Sequence, residues 1–407
     1  MRKPLLAMSM GVLILTGCSH SQSSVPQPVG ITQSFSNRSG VSPDSPPKRY
    51  VIVYSFQGGV DGASPAGRLV LDDAGNLYGT TGSGGNGGCD FGCGTVYKID
   101  QSGHKTILHS FVKSTSDGKA PAAGLARDPA GNLYGTTLDG GASCQPRGCG
   151  VVFKIDSNGN ETVLHSFDGS DGQAPQAGVI LDSAGNLYGT TEAGGASNAG
   201  VVFKIRTNGA ELVLHSFNGT SDGGALLAGV IRDAAGNLYG TTNLGGSSHQ
   251  GVVYKLNPRG NETVLHNFTG PDGAVPSGGV VRDSAGDLFG ATFYGGTTGN
   301  GAVYKVAPGG NETVLQSFHF YVGGPTGDLA RPAGGNLYGT TVGGGPSNAG
   351  EVYMIGPEEN LTVLHVFTIA DGCAPNGDLI RDSAGNLYGT TSGGGSAGHG
   401  VVFELTH

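Results

Sequence analysis

Gly185-Asn186-Leu187-Tyr188-Gly189-Thr190-Thr191 is one of seven copies of a single phrase. The copies begin at Gly75, Gly131, Gly185, Gly236, Gly286, Gly335 and Gly385, at intervals of 49–56 residues. A period of that size marks one supersecondary unit used repeatedly. The third unit reads outward from the phrase. Residues 177–182 (AGVILD) form a short apolar run, and Ser183-Ala184-Gly185 a turn. Residues 186–191 are a second strand, 192–199 a Gly-rich loop, and 200–205 (GVVFKI) a third strand. Thr207-Asn208-Gly209 turns the chain into a fourth, 211–217 (ELVLHSF). Four short strands with tight turns describe an antiparallel meander, the blade of a propeller. The runs are apolar on both faces because each blade is covered by two neighbours.

Counting strands closes the ring. The third strand occurs seven times, ending at 400–405. The fourth also occurs seven times, but its first copy, Tyr50 to Phe56, precedes the first complete unit. The expected fold is therefore all-β: a seven-bladed β-propeller of four-stranded antiparallel blades over 50–407. Residues 50–56 pair with 400–405 and leave only short protected edges. An open solenoid would want capping repeats, and none is visible. The 78 glycines lack a Gly-X-Y period, which excludes collagen. A net charge of −9 argues against nucleic acid as a partner. The lack of Trp weakens the case for a sugar platform of large rings.

The N-terminus reads as a targeting segment. Arg2 and Lys3 precede an apolar run, Leu5 to Leu15, too short to span a bilayer comfortably. Leu15-Thr16-Gly17-Cys18 resembles the lipobox of bacterial lipoproteins. That resemblance implies a signal peptide over 1–17 and lipidation of Cys18, with a membrane as partner through the anchor. Ser19, where Asp would suggest inner-membrane retention, favours the outer membrane or cell surface. Residues 18–49, rich in Ser, Pro, Gln and Asn, read as a disordered tether reaching roughly 30 Å.

GNLYGTT, the Gly-Gly loop, GVVFKI and ETVLHSF together resemble the Gloeo/Verruco (GloVer) tandem repeat of exported bacterial proteins. The resemblance covers 50–405 and implies export, variable anchoring and a propeller-like fold. It carries no catalytic motif.

Loops from fourth strand to first, and from second to third, share one face, here called the top. The tether enters from the bottom, so the top is expected to point away from the membrane. A residue repeated in every blade serves the blade, and departures are the better functional clue. His109, His165, His215, His266 and His365 share one fourth-strand position, with Tyr54 and Gln316 in the other blades. Equivalent positions on separate blades lie too far apart for one metal, so half-buried, hydrogen-bonding histidines are expected and no metal site is assigned. Asp72, Asp128, Asp182, Asp233, Asp283 and Asp382, three residues before the repeat Gly, read as turn caps. Asp-Gly pairs in top loops are compatible with calcium, although EF-hand spacing is missing. No cofactor is required.

Arg127, Arg232, Arg282, Arg331 and Arg381 share a first-strand position lining the channel. They form either an anion-binding ring or pairs with nearby Asp. Cys89 with Cys93 and Cys144 with Cys149 read as two local disulfides, with a four-Cys zinc site as the sharper alternative. Cys373 is left over and is expected to be free. At one first-strand position Gly124, Gly178, Gly229 and Gly279 give way to Asp328, Asp378 and Arg68. Aromatics accompany them: Phe293 and Tyr294 in blade 5, and His319, Phe320 and Tyr321 in the loop entering blade 6. Carboxylates beside rings at a channel mouth suggest a small-ligand pocket. The expected function is a surface-anchored binding or interaction module for a protein or glycan. The alternatives are an extracellular glycoside hydrolase or lyase using Asp328 and Asp378, and a structural envelope protein.

Overall fold

The computed structural model describes residues 49–319, 323–331 and 335–406. The expected signal segment, Cys18 and nearly all of the tether lie outside them, as do Phe320 and Tyr321. Seven antiparallel blade sheets follow one another along the chain, with one further two-stranded pair, Gly118–Lys119 with Asp139–Gly140, and no α-helix among the described residues. Blade 3 shows the plan. An inner strand Ile180–Leu181 pairs with Leu187–Thr191, then Val201–Ile205, then the outer strand Glu211–Ser216. Blade 7 takes its outer strand from the other end of the chain. Tyr50–Ser55 pairs antiparallel with Val401–Leu405, Tyr50 opposite Leu405. The N-terminal strand thus closes the ring, as the strand count required.

The first strand is shorter than the apolar run AGVILD suggested. Blades 2, 3 and 4 keep two residues of it, such as Ile180–Leu181 and Ile231–Arg232. Blades 5 and 7 split it, and blades 1 and 6 carry it through an irregular register. The cause is the small-residue pair Ala177-Gly178 and its equivalents, which leave the ladder to bow toward the axis.

Why the repeat reads GNLYGTT is visible in the packing. The second Gly of each phrase lies opposite the aromatic residue of the third strand, Gly189 opposite Phe203. A Cβ on Gly189 would stand 2.5 Å from Cζ of that ring. The glycine is required because the ring lies across it. The ring then meets, edge on, the Phe that follows the preceding blade's outer strand: Phe167 and Phe203 have centroids 5.1 Å apart at 67°. The first Thr reaches forward: Thr190 Oγ1 donates to the Ala228 carbonyl of the next blade at 2.8 Å. The second Thr holds its own loop by donating to Ala193 O and accepting from Val201 N–H.

Each outer strand carries a bulge that leaves one Leu or Val unpaired, Leu164 in blade 2 and Val53 in blade 7. That residue turns into the next interface. Seven apolar clusters result, each drawn from two adjacent blades, including one joining blade 7 to blade 1. The core is a ring of interfaces rather than a centre.

Gly189→Ala should destabilise the chain by about 1–3 kcal/mol through overpacking against Phe203. Gly189→Ala combined with Phe203→Leu should recover part of that loss. Denaturant midpoints of the three chains check this; a neutral single substitution would refute the contact.

Candidate functional site

The channel is built from the inner strands. At the level of Gly124 their backbones nearly touch. A Cβ on Gly124 would sit 2.8 Å from the Arg68 backbone nitrogen, and one on Gly279 3.2 Å from the Gly229 carbonyl oxygen. Small residues therefore form a collar around the axis. In three consecutive blades the collar carries a charge instead: Asp328, Asp378 and Arg68.

The carboxylates are held by backbone. Inner strands are sheet edges, so their axial N–H groups have no ladder partner. Asp328 Oδ1 accepts from Gly279 N–H at 2.5 Å, and Asp378 Oδ1 accepts from Asp328 N–H at 2.6 Å. Both carboxylates are half-buried among the inner strands. Burial pushes the Asp328 carboxyl upward, while the Gly279 N–H and Arg68 oppose it. Asp378 is pushed up to about 7, first by burial and then by the charge on Asp328. The two acids therefore hold a proton into the neutral range, beside a guanidinium.

They floor a cavity of about 600 Å³ on the lower side of the collar. Arg68, Arg232, Arg282, Arg331 and Arg381 line it; Arg127 does not. The aspartates that follow Arg232, Arg282 and Arg381 in sequence serve the turns. Asp233 Oδ2 accepts from Asn237 Nδ2 and the Tyr239 hydroxyl. Burial pushes that carboxyl up, but these bonds outweigh it and hold it below its ordinary value. The guanidinium groups pack on rings of the preceding blade: Arg232 over Tyr188 at 5.7 Å, Arg282 over Tyr239 at 5.7 Å, Arg331 over Phe289 at 4.5 Å. Arg331 also reaches Asp283 at 3.5 Å, and Arg381 Nε donates to Gly385 O. Stacking orients these cations and leaves N–H edges for an anion.

The aromatics stand elsewhere. Phe293 and Tyr294 end the long second strand of blade 5, edge to face at 4.7 Å, and Phe293 packs over Gly324. They and the exposed His319 do not line the cavity. The structure thus gathers Arg68, Asp328, Asp378 and four of the five ring arginines, and leaves the rings apart.

The fourth-strand histidines pair with the Asp-Gly aspartates of their own top loops. His165 Nε2 lies 2.8 Å from Asp171 Oδ2, and His266 Nε2 2.9 Å from Asp272 Oδ2. Sequence reasoning passed over the Glu that opens ETVLHSF. Glu161, Glu211, Glu262 and Glu312 each pack against the preceding blade, and each has one buried carboxylate oxygen without a partner. Burial, with the charge of Asp222 or Asp272, pushes Glu262 and Glu312 up to about 7. The signal was the repetition of an acid at an inward position. Cys89–Cys93 and Cys144–Cys149 are disulfides, which removes the zinc alternative. Cys373, expected to be left over, is buried, and none of the described cysteines is free.

A model of the Gloeobacter/Verrucomicrobia repeat matches residues 41–145, 143–331 and 229–407. No curated protein matches the chain. Among solved structures, a gluconolactonase from Xanthomonas campestris aligns over 88% of this chain and 89% of its own, at 13% identity and a TM-score of 0.45. A structural-genomics target with the provisional name gluconolactonase aligns over 78% and 94%, at 13% identity and a TM-score of 0.42.

Asp378 binds its proton more tightly folded than unfolded. Its contribution to stability is full below the ordinary carboxyl range and is lost as pH rises toward about 7. Asp378→Asn should therefore flatten the decline in stability between about pH 4 and 7. Urea midpoints across that range check it; parallel wild-type and mutant profiles would refute it.

Proposed function

The chain belongs to the Gloeobacter/Verrucomicrobia repeat family, and from its channel we propose a binding module for a small, hydroxylated organic anion. The observation that carries this reading is the axial cavity of about 600 Å³, lined by five arginines around a floor of two aspartates. Its size suits a single small molecule. Stacked guanidinium groups offer paired N–H donors to a carboxylate or phosphate. The aspartates accept hydrogen bonds from hydroxyl groups at the other end, so sugar acids are the favoured class. The scaffold supplies rigidity, since every side chain at the site projects from an inner strand or its end. We propose further that the module is exported and presented at the outer membrane or cell surface through a lipid on Cys18. Loss of fatty-acid labelling in Cys18→Ala is the expected outcome of a metabolic-labelling test.

Calorimetric titration with a panel of sugar acids tests the binding reading. At least one ligand is expected to bind wild type. Arg282→Ala should weaken it by at least tenfold, as should Asp328→Asn, because each removes a charge-assisted contact of about 1.5–3 kcal/mol. Arg127→Ala, outside the cavity, should leave it unchanged. Equal affinity in all four chains would overturn the reading.

A second reading rests on the contact between the two acids: Asp378 Oδ1 accepts from Asp328 N–H at 2.6 Å, and burial with the charge on Asp328 pushes the Asp378 carboxyl up to about 7. An acid that keeps its proton near neutrality, next to a second carboxyl, suits general acid–base cleavage of a glycosidic bond. Turnover of a polysaccharide panel by wild type, abolished in Asp378→Asn, would establish this enzyme reading over simple binding.

A further inference from the structure

A second charged cluster lies far from the axis, at the outer edge between blades 4 and 5. His266 is the last residue but one of the outer strand of blade 4, Asp272 lies in the loop that follows, and Glu312 opens the outer strand of blade 5. One donor atom from each lies within 4.8 Å of the other two. Asp272 is aimed: its Oδ1 accepts from the Thr269 N–H and hydroxyl at 2.8 and 2.9 Å, which turns Oδ2 onto His266 Nε2. The His266 ring is fixed edge-on to Phe268 at 4.9 Å. Glu312 has one buried oxygen with no hydrogen-bond partner. Two carboxylates and an imidazole thus converge on a point where no compensating cation stands among the described residues.

The same three positions in another interface show what fills that place. Between blades 7 and 1 they read Tyr54, Asp61 and Lys105. There Lys105 Nζ stands 2.8 Å from Asp61 Oδ1 and also donates to the Asp61 carbonyl. Its ammonium packs against the Tyr54, Phe56 and Tyr97 rings. Where the chain supplies its own cation the cluster is neutralised, and where Glu replaces Lys the negative charge is doubled and the cation removed.

We propose that His266, Asp272 and Glu312 form a site for a zinc-class dication that bridges blades 4 and 5. One imidazole nitrogen and two carboxylate oxygens suit Zn2+, with water at the open position. Calcium would need about 6–8 oxygen ligands, and the imidazole disfavours it. Copper(I) would prefer sulfur. Bonds of about 2.0–2.2 Å to three donors ask only for small side-chain adjustments of a cluster already this compact. Because two ligands come from one blade and the third from the next, the ion staples the interface. The histidines of different blades never converge; the ligands instead come from different positions of adjacent blades.

The test is equilibrium dialysis of the tag-free full-length chain, stripped with chelator, against micromolar Zn2+. Wild type should bind one tight equivalent, with no competition from millimolar Ca2+. Glu312→Gln should weaken that equivalent by on the order of 100-fold, as loss of a ligand should at least match the 10–100-fold effect of losing a ligand's supporting partner. Glu161→Gln, in another interface, should keep it. Zn2+ should raise the melting temperature of wild type and leave Glu312→Gln unmoved. Absence of tight binding in wild type, or full affinity in Glu312→Gln, overturns the proposal. If Glu312→Gln does not fold, Co2+ bound to wild type decides: an intense four-coordinate visible spectrum supports the site, and the pale aqua-ion spectrum overturns it.

Discussion

Seven aromatic pairs, one at each blade interface, carry the ring. Phe56 meets Tyr97, Phe111 meets Phe153, Phe167 meets Phe203, and so on to Phe367 with Phe403, with centroids 4.9–5.2 Å apart. Each pair joins the end of one outer strand to the middle of the next blade's third strand. Edge-to-face contact of this kind contributes about 0.5–1.5 kcal/mol beyond the area it buries. More important here is geometry, because repeating one contact seven times repeats one angle between blades. The glycine beneath each third-strand ring makes the contact possible, since any side chain there would lift the ring out of the interface. Ring closure by the N-terminal strand follows from the same contact, for Phe56 completes the seventh pair.

With the interfaces set by aromatics, the inner strands are free to crowd the axis. They do so at the Ala-Gly pair, where backbones approach too closely for side chains on most blades. Negative charge is tolerated there because each carboxylate satisfies a neighbouring strand's bare N–H, as Asp328 does for Gly279 and Asp378 for Asp328. Burial then raises the affinity of both acids for protons, and the arginines below them balance the remaining charge. The cavity is thus a consequence of where the collar departs from glycine, with cations held by stacking rather than by pairing to their sequence neighbours.

The outer edge obeys a similar logic with different residues. Every top loop with an Asp-Gly pair brings its Asp back onto the His or Tyr of its own outer strand, which fixes the loop. The next blade adds a third residue to that pair, and its identity decides the electrostatics: Lys105 neutralises, Tyr50 stacks on His365 at 3.9 Å, and the four Glu residues each bury an oxygen with no hydrogen-bond partner. Repetition therefore conceals real differences between interfaces.

The period near 50, the strand count and the spare N-terminal strand determined the blade number and the closure, because short-range alternation and turns are local properties of the chain. The same register exposed Arg68, Asp328 and Asp378 as odd residues among glycines. Their meeting around one axis, and the exclusion of Phe293, Tyr294 and His319 from it, were decided by tertiary structure. Position along a strand does not tell which end of the channel a side chain reaches once the inner strand bows. Nor could spacing pair His266 and Asp272 with Glu312, 40 residues beyond Asp272 and in another blade. Contacts across an interface depend on the twist and tilt of neighbouring blades, and those are set by the packing of Phe against aromatic over glycine.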